Sequence, residues 1–172
     1  LMAGANKYKI AATLADFRGA GRRFERVGET ANGAVVVDDY AHHPTEVRAA
    51  IHAARTLGFR RVLAAFQPHL FSRTQVLARD FGAALALADA ACVLDIYPAR
   101  ERALDFPGVS GLLVAEAAAD AARGRPVAWA PDFAAAAELL RASLREGDLC
   151  LVLGAGNIDE LGRRLVGERV PE

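Results

Sequence analysis

From residue 34 onward, short unbroken apolar runs alternate with amphipathic stretches, and this rhythm restricts the chain more than any other feature. The runs cover residues 34–38, 61–66, 91–96, 127–130 and 149–153. A strand exposed on one face alternates apolar with polar; a continuous run marks one buried on both. The stretches between have helical spacing. Pro44 opens one with Val47, Ala50, Ile51 and Ala54 on a single face, ending near Gly58. Leu77, Phe81, Ala84, Leu85 and Ala88 stripe a second, residues 112–122 form an Ala-rich third, and Pro131 starts a fourth carrying Phe133, Ala137, Leu140 and Leu144. Gly154-Ala155-Gly156 turns into a last helix through Leu161 and Leu165. Strands alternating with helices specify an α/β domain: a mostly parallel sheet, helices on both faces, right-handed crossovers.

Two extended runs, 24–28 and 34–38, flank Asn32-Gly33, a strong turn pair. They predict an N-terminal β-hairpin attached to the sheet. Residues 1–18 read as a helix with Ile10, Leu14 and Phe17 on one face, broken at Gly19 to Gly21. That face has no partner in the chain, which suggests the end of a preceding domain.

The 172 residues suit one domain, and an apolar fraction of 53% supplies a sizeable core. Basic and acidic residues number 21 each, so no global field attracts nucleic acid or an anionic membrane, and any anion site must be local. No apolar run approaches the roughly 18 residues of a membrane span, and no signal peptide is evident, so a cytoplasmic location is expected. Cys92 and Cys150 lie inside apolar runs and read as buried thiols, not as a disulfide or a metal site.

Parallel sheets bind ligands beyond the carboxyl ends of their strands. Two of those ends are unusually polar. The first carries Asp38, Asp39, Tyr40, His42 and His43 ahead of Pro44; the second carries Gln67, His69, Ser72, Arg73 and Thr74. Both lead into helix N-termini, where unpaired N–H groups and the macrodipole favour anions. Taken singly, either carboxylate serves equally well as a turn cap, and His43 as the N-cap before Pro44. Two such ends on one edge point to a site. His52, inside a helix, reads as a surface histidine. Arg22-Arg23-Phe24-Glu25 precedes a strand and is either a solvated charge pair or an anion contact. Gly154–Gly156 is a partial dinucleotide fingerprint without its third glycine, better read as a tight turn. Tyr97 to Glu101 would form the lip of a cleft. There is no phosphate loop and no nucleophile elbow. The residues describe an anion-binding α/β domain without a complete catalytic apparatus.

The string DDYAHHPTEV at 38–47, with RRFE before it and FQPHLFSRT, DIYPARE and LGAGNI after it in that order, resembles the C-terminal domain of the Mur ligase family, in the branch that joins alanine to muramate. The resemblance spans about residues 10–166. It implies a three-layer, Rossmann-like fold. Residues 1–18 would close a central ATPase domain, and 19–172 would form the domain that closes over ATP and brings the amino acid. The missing N-terminal and central domains would bind the UDP-sugar, and the phosphate loop with magnesium. The implied reaction is amide formation between UDP-N-acetylmuramate and L-alanine through an acyl phosphate made with ATP. By the same resemblance His43, His69 and Arg73 act at the reaction centre, His43 toward alanine or the intermediate and the other two on its anions. Arg22 or, better, Arg23 contacts the nucleotide, with Asp39 on its ribose and Tyr40 and His42 lining the site. Leu70 departs from the family, where many members carry arginine, so more of the anion contact falls to Arg73.

Three other readings remain. A ligase that recycles a preformed tripeptide shares the first motif but is less similar at RRFE and FQPHLFSRT. A stand-alone nucleotide-binding module would use Gly154–Gly156. A metal-dependent hydrolase would use Asp38, Asp39, His42, His43 and His69.

Overall fold

A computed structural model describes residues 21–167. The helix expected over 1–18 lies outside them. Strands β1 (Glu25–Glu29) and β2 (Val35–Asp39) pair antiparallel across a turn closed by Gly33 N–H donating to the Thr30 carbonyl at 2.9 Å. The chain continues through α1 (Pro44–Arg55), β3 (Arg61–Phe66), α2 (Phe71–Leu85), β4 (Ala90–Leu94), α3 (Gly111–Ala121), β5 (Val127–Ala130), α4 (Phe133–Ser143), β6 (Asp148–Leu153) and α5 (Asp159–Leu165). One six-stranded sheet results, in the order β1-β2-β6-β3-β4-β5, and every pairing except β1 with β2 is parallel. This is the expected α/β architecture with its N-terminal hairpin.

The order follows from the handedness of the crossovers. Right-handed connections β2-α1-β3, β3-α2-β4 and β4-α3-β5 all step the same way across the sheet, so their helices share one face. The return from β5 to β6 runs the opposite way and puts α4 on the other face, where α5 joins it. Two cores result, built from alternate residues of the same strands. Val37, Ala64, Phe66, Val93, Leu149 and Leu151 pack beneath α1–α3; Val36, Leu63, Ala65, Cys92, Cys150 and Val152 pack beneath α4 and α5. The runs in β2, β3, β4 and β6 are thus strands covered on both sides, while β5 at the edge leaves Trp129 exposed. Both cysteines are buried free thiols, and burial raises Cys92 to about 11 and Cys150 to about 12, so both stay protonated.

Helix α2 starts earlier than its apolar stripe predicts. Its first turn, Phe71 to Thr74, includes Ser72 and Arg73, whose polar side chains hide the periodicity. α5 is shorter than predicted: Asn157 lies in the turn and the helix begins at Asp159. Gly111 shows why α3 sits where it does. A Cβ there would lie 2.0 Å from the Leu94 carbonyl oxygen, so only glycine lets the helix start against the end of β4. At the opposite end of the sheet Asp148 is fully buried. Burial pushes its carboxyl up, but Arg61 (Nη2 at 2.5 Å) and the Arg145 N–H (2.8 Å) outweigh that and hold it below the usual range.

Candidate active-site groove

Only β6 separates β2 from β3, so the turns after those two strands emerge side by side. A hydrogen bond from Arg73 Nη1 to the His42 carbonyl at 3.2 Å joins them. The rings of His42 and His69 lie 6.2 Å apart, and Tyr40 packs edge-on against His42 at 5.3 Å. Tyr40, His42, His69 and Arg73 therefore cluster at one edge of the sheet, and we refer to the space they border as the groove.

The two adjacent histidines have different local chemistry. His42 Nδ1 lies 3.0 Å from the Tyr40 carbonyl, which can only accept, so a neutral His42 carries its proton there and offers Nε2 as a lone pair. His43 is the exposed N-cap of α1, and its Nδ1 accepts from the Thr45 N–H at 3.4 Å, leaving the proton on Nε2. Glu46 accepts from the His42 and His43 amides at 3.0 and 3.1 Å and completes a capping box. The capping alternative for His43 is thus realised, and its outer nitrogen remains exposed beside the groove.

His69 stacks on Tyr97, with ring centroids 5.6 Å apart and planes at 15°. Its Nδ1 is buried without a hydrogen-bond partner among the described residues. Burial, then the positive charges of Arg73, His42 and Arg100, hold its pKa below the ordinary 6.5. The neutral imidazole is the form the fold prefers, suited to accepting a proton. A depressed imidazole pKa means that the unfolded chain protonates first on acidification. This contribution to stability is complete above about pH 6.5 and is lost as pH falls toward the lower folded value. His69→Gln is expected to flatten that part of the pH dependence, measured as urea midpoints at about pH 7.5 and about pH 5.5. An unchanged slope would assign the acid loss to other groups.

The two arginines ahead of β1 divide their work. Arg22 is fully engaged: Nε donates to Asp38 at 2.8 Å, Nη1 to the Gly156 carbonyl at 2.8 Å and Nη2 to the Gly154 carbonyl at 2.7 Å. It plugs the gap between the ends of β2 and β6. Asp38 is only 3% exposed, and burial raises its carboxyl pKa despite the Arg22 contact. Arg23 is exposed and lies 5.6 Å from the Tyr40 ring centroid, within cation–π range. Arg22 lies over the same ring at 5.3 Å, so what separates the pair is that Arg23 is exposed and makes no side-chain hydrogen bond among the described residues. Asp39 accepts from the Phe24 N–H and the Ala41 N–H, both at 2.8 Å, so its carboxylate braces the turn. His52 is exposed on α1, away from this edge.

The glycine turn after β6 is packed. A Cβ on Gly156 would lie 2.6 Å from Tyr97 Cγ and 2.7 Å from Gln67 Oε1, while the Gly154 and Gly156 carbonyls hold Arg22. That leaves a dinucleotide pyrophosphate little access. Among the described residues no group of three or more His, Cys, Asp or Glu side chains is placed to hold a metal ion, so the hydrolase alternative finds no ligand set there. No helix among them is long and apolar enough to cross a membrane.

Two features are absent from the sequence-based expectations: the Gln67–Asn157 amide contact at 3.5 Å and the cap that Glu101 provides to α2. The second had a signal. No Ser, Thr, Asp or Asn precedes Phe71, so a helix start there required a partner from elsewhere.

The family model for the Mur ligase, glutamate ligase domain matches residues 22–156. The UDP-N-acetylmuramate–L-alanine ligase of Mycolicibacterium vanbaalenii is 48% identical over 170 residues, covering 96% of this chain and 34% of that protein. Among solved structures, the UDP-N-acetylmuramate–alanine ligase of Thermotoga maritima aligns with a TM-score of 0.67 at 27% identity, over 95% of this chain and 33% of that one. The murein peptide ligase of Psychrobacter arcticus, at 23% identity and a TM-score of 0.65 over 94% of this chain and 33% of its own, shares the fold. The chain thus spans about a third of the length of the curated relatives it matches.

Proposed function

The chain belongs to the Mur ligase family, and from that premise we propose that it is the C-terminal domain of a cytoplasmic, ATP-dependent UDP-N-acetylmuramate–L-alanine ligase of peptidoglycan synthesis. One observation carries the reading: the turns after β2 and β3, which hold the two most distinctive motifs, meet in a single groove through the Arg73–His42 contact. The amino-acid branch rests on relatives of about half identity that bear this name.

In this reading the groove closes over reactants held by the two domains that precede it. The sugar's lactyl carboxylate takes the γ-phosphoryl group of ATP, and the resulting acyl phosphate is attacked by the amine of L-alanine, with loss of phosphate. Charge builds on oxygen in both steps, so cations fixed in advance lower both barriers. Arg73 supplies a planar, permanently charged fork for the amino-acid carboxylate. His69, neutral at physiological pH, can take the ammonium proton before attack, and His42 offers Nε2 at the same centre. His43, with its outer N–H, would face alanine or the tetrahedral intermediate from the rim. Arg23 and Tyr40 would contact the nucleotide, with Asp39 toward its ribose. Arg22 reaches it only indirectly, by fixing Asp38 and the turn after β6. Magnesium is assigned to the domain that carries the phosphate loop.

The test compares this chain with the full-length ligase, each given UDP-N-acetylmuramate, L-alanine, ATP and magnesium, with the amide product read by mass. Product is expected from the longer protein only. Turnover by the 172-residue chain alone would overturn the domain assignment. A full-length enzyme that takes a tripeptide and refuses alanine would establish the recycling ligase instead.

A further inference from the structure

Helix α2 carries Arg73 in its first turn, yet it has no cap of its own. The residue before it, Leu70, is held at φ 72° and ψ 132° and has no side-chain acceptor, and no acidic residue lies in the first turn. Helices α1 and α4 solve this locally, α1 with His43 and Glu46 and α4 with Asp132, while α3 takes Asp95, which accepts from the Gly111 N–H at 3.1 Å. At α2 the partner comes from 29 residues downstream, where Glu101 accepts from the Ser72 N–H at 3.0 Å and from Ser72 Oγ at 2.5 Å.

We propose that Glu101 is a positioning residue, which holds the first turn of α2 from the neighbouring loop and so fixes Arg73 and His69 to receive the amino acid. The inference rests on the ligase reading above. A carboxylate there complements the positive end of the helix, and the Ser72 hydrogen bond draws the Glu101 carboxyl below its usual range. The segment leading to Glu101 is also tied to the segment leading into α2. Tyr97 N–H donates to the Pro68 carbonyl at 2.8 Å, Leu70 N–H donates to the Tyr97 carbonyl at 3.0 Å, and the Tyr97 ring stacks on His69. The brace therefore grips the turn on both sides of Leu70, with His69 before it and Arg73 after it. It has a second effect. By occupying the amide end of α2, Glu101 leaves an incoming carboxylate to Arg73, whose fork also imposes orientation.

The experiment measures steady-state kinetics of Glu101→Ala, Glu101→Gln and Ser72→Ala in the full-length ligase, with melting curves alongside. Loosening the turn is expected to raise the KM for L-alanine about tenfold in Glu101→Ala, less in Glu101→Gln, with the KM for ATP unchanged within about twofold. Ser72→Ala, which removes one contact and keeps the carboxylate, should give a smaller rise in the same parameter. A lower kcat with an unaltered alanine KM, or equal rises for both substrates, would reduce Glu101 to a stabilising contact and overturn the proposal. Failure of the wild-type enzyme to join alanine at all would instead refute the ligase reading, so the two failures are distinguishable.

Discussion

Arg22→Ala is expected to destabilise the domain by about 3 kcal/mol, lowering its melting temperature by roughly 6–12 °C. The effect is large because three acceptors lose their donor together. Asp38 is left as a buried carboxylate without the cation that faces it, and the Gly154 and Gly156 carbonyls lose guanidinium hydrogen bonds of 2.7 and 2.8 Å. Removing one member of a buried pair costs more than the pair contributes, since the remaining charge is stranded in a medium that solvates it poorly. Two further measurements test the cause. Asp38→Asn on the Arg22→Ala background should recover part of the loss, because the stranded charge is gone. The deficit should also shrink on acidification. Asp38 already has a raised pKa, and without Arg22 it rises further, so the folded state of the variant binds a proton more readily than the unfolded state. Stability of the variant relative to wild type then falls as pH rises from the unfolded carboxylate value of about 3.9 through the raised folded value, and levels off above it. Arg23→Ala, at an exposed position, should leave the melting temperature nearly unchanged and serves as the control.

Arg73→Ala is the counterpart on the functional side. It is expected to reduce kcat/KM for alanine ligation by roughly 10²–10³-fold in the full-length enzyme, with little change in melting temperature. Its structural commitment is small: one bond of 3.2 Å to the His42 carbonyl, on a partly exposed side chain. Among the described residues its other guanidinium N–H groups have no hydrogen-bonded acceptor, which leaves them for a ligand. Arg73→Lys should recover only a small part of the loss, because an ammonium cannot hold a carboxylate with two parallel hydrogen bonds. A near wild-type kcat/KM in Arg73→Ala would remove Arg73 from the reaction centre and with it the main anion contact proposed for the groove.

Most of the scaffold was legible because strand burial writes itself into sequence. The run at 62–66 has to be apolar throughout when both its faces are covered, and β3 occupies those residues, with Arg61 at its start. β5 at 127–130 is apolar too, although as the edge strand it leaves Trp129 exposed. Pro44 and Asn32-Gly33 marked a helix start and a hairpin for reasons of backbone geometry alone. What escaped depends on contacts between distant residues. The first turn of α2 was invisible because its partner is Glu101, far along the chain. The division of labour between Arg22 and Arg23 was likewise unreadable: two identical neighbours differ only in that one turns toward Asp38 and the other toward solvent. The pKa direction at His69 also had no local signal, since it arises from burial and from Arg73, His42 and Arg100 gathered around it.

The position of β6 bears on how the domain comes into being. It comes last in chain order among the six described strands, yet it is the keystone of the sheet, with β2 on one flank and β3 on the other. Until it emerges, β1 and β2 form an isolated ribbon and β3, β4 and β5 an incomplete half, with nothing to join them. Pairings of such long sequence separation make assembly slow and concentrate it in a late step. A nascent chain halted before residue 148 has therefore made both halves of the groove but cannot bring them together. The two motif-bearing turns can come together only after residue 153 has been made.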